Sequence, residues 1–492
     1  MQETQNVSSL RRNLRTRHLS MIAIGGSIGT GLFIGAGATI ATAGPAGALL
    51  AYGLCGLMVY FLMTSLGEMS AYMPQTGSFQ VYGSRFVDTG FGFALGWNYW
   101  FNWAVVIAVE LVAAGLIMHY WLPGVPGWVW SGLALALMVA LNVFSVRGFG
   151  EAEYWFSLLK VITIVAFIAI GLLMIVGIMT RPVFHGLAAG LPVFFASGNG
   201  FVGGIGAFIS VSMVVGFAYQ GTEVIGVAAG EAEDPARNLP RAARQIFWRI
   251  LMFYMLAIFL VGMLLPYNDP LLLKSDMSDV AASPFTLVFA RAGMAAAASV
   301  VNATILSAVL SAGNSGMYAC ARMLYSMAEN NMAPAFLGKL TKNGVPRNAL
   351  YLTTLVAALC FLSSRWGDSQ VYMWLLNCAG MTGFIAWLGI AVCHYRFRRA
   401  LRVQGIDLAV LPYRAKWFPL GPLFAFALCL VIMLGQNYGA FTGAKVDWNG
   451  ILATYIGIPL FLVFWLGYNW KHRQRLIPLH AMDVSATPSS GR

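Results

Sequence analysis

Three ionisable residues lie deep inside apolar stretches of this 492-residue chain: Glu110, Lys160 and Glu223. A charge at the middle of a membrane helix costs about 2.5–3.5 kcal/mol on insertion scales, so each is a functional candidate. Burial penalises the charged form of an amine. Lys160 can therefore gain and lose a proton, occupy the place where a sodium-coupled protein binds its cation, or form a fixed ion pair with Glu110 or Glu223. Glu110 either faces a cavity or pairs with another buried group. Glu68 is nearer a span end and less telling.

Two segments carry unusual backbone freedom. Gly25-Gly26-Ser27-Ile28-Gly29-Thr30-Gly31 has four glycines in seven residues, and Gly216-Phe217-Ala218-Tyr219-Gln220-Gly221-Thr222-Glu223 lies five spans later. Glycine costs about 1 kcal/mol relative to alanine inside a helix. Backbone freed by a break must face protein or a water-filled cavity, and matching breaks in two halves of a chain point to a binding site. Close helix packing is the competing use of small residues such as Gly25, Gly29, Gly31, Gly35 and Gly37. The second break, beside an acid, favours the site.

A half-helix starts with unpaired N–H groups and a positive dipole end, which accept a carboxylate without a basic side chain. Ser27, Ile28, Gly29, Thr30 and Gly31 are the candidates, two of them with hydroxyls. The last carbonyls before the second break, those of Phe217, Ala218 and Tyr219, can take an ammonium, with Gly221 completing the turn. The pair suits a zwitterionic α-amino acid. Glu223 either meets substrate or proton, or hydrogen-bonds freed backbone of the first span. In the aromatic run Trp97–Trp103, much of which suits packing or an interfacial belt, Tyr99 is the candidate to line the pocket.

These residues need membrane helices to hold them. The chain is 59% hydrophobic and 10% charged, against about 45–50% and about 25% in soluble domains. About 20 apolar residues make one crossing. About twelve stretches qualify: 20–43, 46–72, 91–119, 127–145, 153–179, 204–227, 242–266, 284–328, 347–365, 370–398, 418–440 and 449–470. The eighth is too long for one straight crossing, so its inner end is expected to leave the membrane. The tails, 1–9 and about 480–492, are polar and expected to be disordered. The longest outer loop, 266–283, carries Lys274, Asp276 and Asp279 and reads as a solvated turn.

The net charge of +12 follows topology, not nucleic acid. With the N-terminus inside, 24 of the 30 Lys and Arg fall in cytoplasmic segments, as the positive-inside rule requires. Both termini are therefore expected in the cytoplasm. Arg11, Arg12, Arg15 and Arg17 ahead of an apolar stretch, with Ala41-Thr42-Ala43, imitate a signal peptide, but the stretch is too long and glycine-broken. Six cysteines without a Cys-x-x-Cys pair read as packing residues, with no metal or disulfide expected. The glycine-rich segment matches no nucleotide loop. The six histidines scatter near span ends and loops, and no catalytic constellation appears, so no enzyme and no cofactor is expected.

Longer motifs add a resemblance. Residues 17–33 (RHLSMIAIGGSIGTGLF), 220–223 (QGTE), 230–242 (GEAEDPARNLPRA) and 311–318 (SAGNSGMY) are similar to the bacterial amino acid permeases of the amino acid–polyamine–organocation superfamily. The similarity spans nearly the whole chain. It implies an all-α fold of about twelve transmembrane helices of LeuT type. Residues 20–179 would hold helices 1–5 and 180–400 helices 6–10, as inverted repeats. Helices 11 and 12 would occupy 401–475, between cytoplasmic tails 1–19 and 476–492. It also implies alternating access in the bacterial inner membrane, with proton symport and Lys160 at the family's helix 5 lysine.

Residues 92–100, 146–158 and 345–351 resemble the lysine-transporting members, which implies L-lysine as substrate. Some of those members regulate a membrane-bound acid-response activator, which implies a regulatory membrane partner. The QGTE motif also occurs in permeases for other amino acids. Arginine, histidine or an aromatic amino acid therefore remain open as substrates, and exchange remains open beside symport.

Overall fold

The computed structural model describes residue 21 and residues 27–144, 146–179, 183–184, 187–231, 235–269, 272, 283–437, 439–442, 446 and 448–486. Gly25, Gly26, Lys274, Asp276, Asp279 and the first 20 residues lie outside that set, and with them the expectations for the N-terminal tail and the outer loop.

Among the described residues the regular structure is helical apart from one antiparallel pair of two-residue strands, β1 (Val183–Phe184) and β2 (Leu187–Ala188). The early helices are α1 (Thr30–Phe33), α2 (Gly35–Tyr72), α3 (Phe79–Phe86), α4 (Thr89–Met118), α5 (Gly127–Phe144) and α6 (Val146–Ile175). Next come α7 (Leu191–Phe194), α8 (Gly204–Tyr219), α9 (Val224–Val227), α10 (Pro235–Leu264), α11 (Pro284–Arg291) and α12 (Ala295–Glu329). The chain then forms α13 (Arg347–Ala357), α14 (Ser363–Trp366), α15 (Asp368–Val403), α16 (Leu420–Gly435), α17 (Gly439–Thr442), α18 (Trp448–Tyr455) and α19 (Gly457–His472). Seven helical stretches among the described residues are long and apolar enough to cross a membrane, and three shorter apolar helices accompany them. The protein is a multi-pass membrane protein.

A straight helix of 38 residues such as α2 would measure about 57 Å at 1.5 Å per residue, far beyond a hydrocarbon core of about 30 Å. Gly44 resolves this. Its φ of 77° and the following Pro45 fold the segment into two helices. A β-carbon at Gly44 would strike the Gly200 carbonyl, which instead accepts the Ala46 N–H at 2.9 Å, while Val202 N–H reaches Ala43 O at 3.0 Å. Backbone exposed by the bend is thus paired, as burial demands. The expected eighth span, 284–328, is likewise two helices, α11 and α12, parted at Gly293 with φ 76°.

Helix α4 is the central post. In its most apolar window 89% of residues are buried, against 28% for α6, whose outer flank is exposed. Asp88 starts it by accepting the Phe91 N–H at 2.8 Å, an N-cap that satisfies one orphan donor. Helices α12 and α15 pack along α4, and α2 packs along α8 and α10. The C-terminal segment differs from the expected disorder over its described part. Met482 and Val484 are buried. Ile477 N–H donates to Val87 O, Gln404 Nε2 donates to the carbonyls of Leu479 and Met482, and Arg85 pairs with Asp483 at 3.0 Å. Carbonyls within a polar tail found side-chain donors that periodicity could not reveal.

Candidate functional site

Both breaks form where the glycines stand. Ile28 and Gly29 are non-helical before α1. Helix α8 ends at Gln220, whose ψ of 146° turns the chain out, and Gly221 follows at φ 101°. The two breaks touch, for a β-carbon on Gly31 would overlap the Ala218 backbone. Tyr254 of α10 joins them. Its hydroxyl donates to Ser27 O at 2.9 Å and Ala218 O at 2.7 Å, sharing one proton between a carbonyl from each break. Sequence reasoning missed Tyr254; a lone tyrosine in an apolar span carries no distinguishing pattern.

The expected ammonium acceptors already have partners. Phe217 O accepts the Gln220 N–H at 3.0 Å, and Tyr219 O accepts the Thr222 hydroxyl at 3.0 Å. With Ala218 O taken by Tyr254, only second lone pairs remain for a ligand.

The two acids differ. Glu223 accepts from the Gly221 N–H at 3.0 Å, from the Trp387 indole at 3.2 Å and from the Tyr99 hydroxyl at 3.3 Å. It clasps its own break to α4 and α15, not to the first break as one expectation had it. Glu110 accepts the Thr30 hydroxyl at 3.1 Å through Oε1, and its buried Oε2 has no hydrogen-bond partner among the described residues. Gly29 leaves room for it, since a β-carbon there would lie 2.7 Å from Glu110 Oε1.

Ser27, Gly29, Gly31, Glu110 and Phe217 line one cavity with Trp103, Val106 and Gln220. Its volume is about 10 Å³, the lower edge of what holds one water, so the site as it stands has no room for a substrate. Tyr99 and Glu223 stand beside it, not in its lining, and Ile28 is fully buried. A larger cavity of about 300 Å³ lies between α4, α15, α18 and α19, lined by residues such as Trp97, Met381 and Phe461 and by no charged side chain.

Lys160 is fully buried on α6 and lies within Coulombic range of Glu153 and Glu110. Glu153 was missed. It sits seven residues before Lys160, two helical turns away on the same face, and lysine side chains lean back toward the N-terminus. That spacing was the available signal. Glu153 accepts from Ser311 and from Asn314 Nδ2 of α12, and Asn314 in turn accepts from Asn142 at 2.7 Å. The motif at 311–318 therefore anchors this acid. Glu68 is buried too, with His394 Nε2 at 3.2 Å and Arg398 Nε at 3.5 Å.

Two broken helices meeting around a buried acid, inside a polytopic helical body, define a membrane transporter. The chain belongs to the amino acid permease family, whose model matches residues 18–480. It is 62% identical over 468 residues to the lysine-specific permease LysP of Escherichia coli (strain K12), covering 95% of each chain. It is 49% identical to two proteins of Lactococcus lactis. One is the histidine permease HisP (98% of this chain, 99% of that one), the other the lysine-specific permease LysP (97% and 93%). These relatives are transporters, and so this chain is no enzyme.

Proposed function

We propose that the protein imports L-lysine with a proton across the bacterial inner membrane, both termini in the cytoplasm. In this reading the twelve helices form LeuT-type inverted repeats, 20–179 and 180–400, with 401–475 peripheral, and the gated bundle moves around the cavity between the breaks. The carrying observation is that Glu110 lines that cavity and that its buried Oε2 has no hydrogen-bond partner among the described residues. A buried carboxylate with a bare oxygen can take a further cation, and the substrate's ammonium supplies one. Glu223, with three donors already on it, holds the pocket wall. The substrate's carboxylate lies against the amides of 27–31. Lys160, between Glu153 and Glu110, exchanges the proton, and lipid covers the apolar flank of α6. The identity to the lysine-specific permeases supports the substrate.

The histidine permease, at 49% identity, makes histidine the second substrate to exclude. The test is uptake into liposomes containing only this protein, with and without an inward proton gradient. Unlabelled arginine, histidine, ornithine and phenylalanine compete in parallel. Gradient-driven accumulation blocked chiefly by lysine is expected. Counterflow without gradient-driven accumulation means exchange, and stronger competition by histidine overturns the substrate.

A further inference from the structure

We propose that the side-chain amide of Gln220 reads the α-carboxylate of the substrate, a role that rests on the cavity between the breaks being the substrate site. Gln220 is the first residue beyond α8. Its own N–H bonds to Phe217 O, and its ψ of 146° turns the chain after it away from the helix axis. The residue is 5% exposed, and neither Nε2 nor Oε1 has a hydrogen-bond partner among the described residues. A buried amide with nothing to bond is costly, and native interiors hold few. On one side the amide lies against Gly383 of α15, where a β-carbon would overlap it. Gly383 is thus what gives the amide its place. Gln220 also lines the cavity that Gly29, Gly31 and Glu110 line.

The two unpaired groups divide a zwitterion between them. An ionised Glu110 only accepts, so Oε2 takes the positive end. A carboxylate needs donors, and Nε2 brings two N–H groups. A neutral amide does this without adding a cation that would repel the substrate's own ammonium groups, which a lysine or arginine at 220 would do.

The test is competition against labelled L-lysine, comparing unlabelled L-lysine with 1,5-diaminopentane, which keeps both amines and lacks the carboxylate. In Gln220→Leu, lysine affinity is expected to fall about 10- to 100-fold, the worth of a hydrogen bond to a charged group, while diamine affinity stays unchanged. Gly383→Ala, which displaces the amide, is expected to act in the same direction. If Gln220→Leu does not fold, Gln220→Met keeps the length of the side chain and removes the donors without adding a charge, with the same selective loss expected. Unchanged lysine affinity in the folded variant, or an equal loss for both ligands, overturns the proposal. Glu110→Gln separates the two levels. Loss of both ligands there, with Gln220→Leu silent, removes only Gln220's role; silence in both variants removes the cavity as the substrate site.

Discussion

Glu110 and Glu223 are the same residue type in similar apolar helices, yet their surroundings give them different work. Glu223 is saturated by Gly221, Trp387 and Tyr99; Glu110 keeps one bare oxygen. Glu223→Gln would set an amide donor against donors and leave a buried group unpaired, at about 1–3 kcal/mol. A lower thermal midpoint in detergent is the expected reading. Glu110→Gln has an oxygen to spare, so its midpoint should hold while lysine affinity drops. A pattern opposite to this would exchange the two roles. Lys160→Ala is expected to abolish gradient-driven accumulation and leave lysine counterflow in place, because the alanine carries no proton. Accumulation that survives in this variant would remove Lys160 from coupling.

At the scale of helices, the breaks depend on contacts that glycine permits and a distant tyrosine ties. Gly31→Ala would drive a methyl into the Ala218 backbone, which cannot give way as a flexible side chain can. Overpacking of this kind costs about 1–3 kcal/mol. Loss of uptake with a lowered midpoint is the expected outcome, and an active, stable variant would mean the breaks separate more easily than this contact implies. Tyr254→Phe leaves the carbonyls of Ser27 and Ala218 without their shared donor. Its midpoint should fall as well, by about the cost of one or two lost bonds, of order 1 kcal/mol each; normal stability would show that other donors serve these carbonyls. The breaks themselves were legible, since glycine clusters weaken a helix wherever they fall. Tyr254 was not, because nothing along the chain says which hydroxyl lies opposite a carbonyl 36 residues away.

Across the whole molecule, the C-terminal segment is tied to the loop after α3 and to α15. Burial works against ionisation of Asp483, but hydrogen bonds from Ser485 and the Arg85 guanidinium outweigh it and hold its carboxyl below the usual range. A lowered folded-state value contributes stability above the unfolded value, about 3.9 for aspartate, and loses it as pH falls through the folded value. Exchange of the amides in 474–486, corrected for intrinsic rates, should therefore be slow at neutral pH and quicken only below about pH 4. Arg85→Ala should quicken it at neutral pH; no change would leave the docking to the other bonds of the segment, those from Arg396 to Ile477 O, from Gln404 and from Ile477 N–H to Val87 O.

Composition, the run of apolar stretches and the two glycine clusters were enough to establish a polytopic helical membrane protein with two weak points and three costly charges. Those properties are local: a residue's transfer energy and its helix propensity travel with it. Folding alone could distribute the partners. It placed Trp387, 164 residues away, on Glu223, set Asn314 on Glu153, left Gln220 and one Glu110 oxygen without hydrogen-bond partners among the described residues, and docked a polar tail expected to be loose. Hydrogen bonds and close packing act over a few ångströms in space, and separation along the chain does not report that distance.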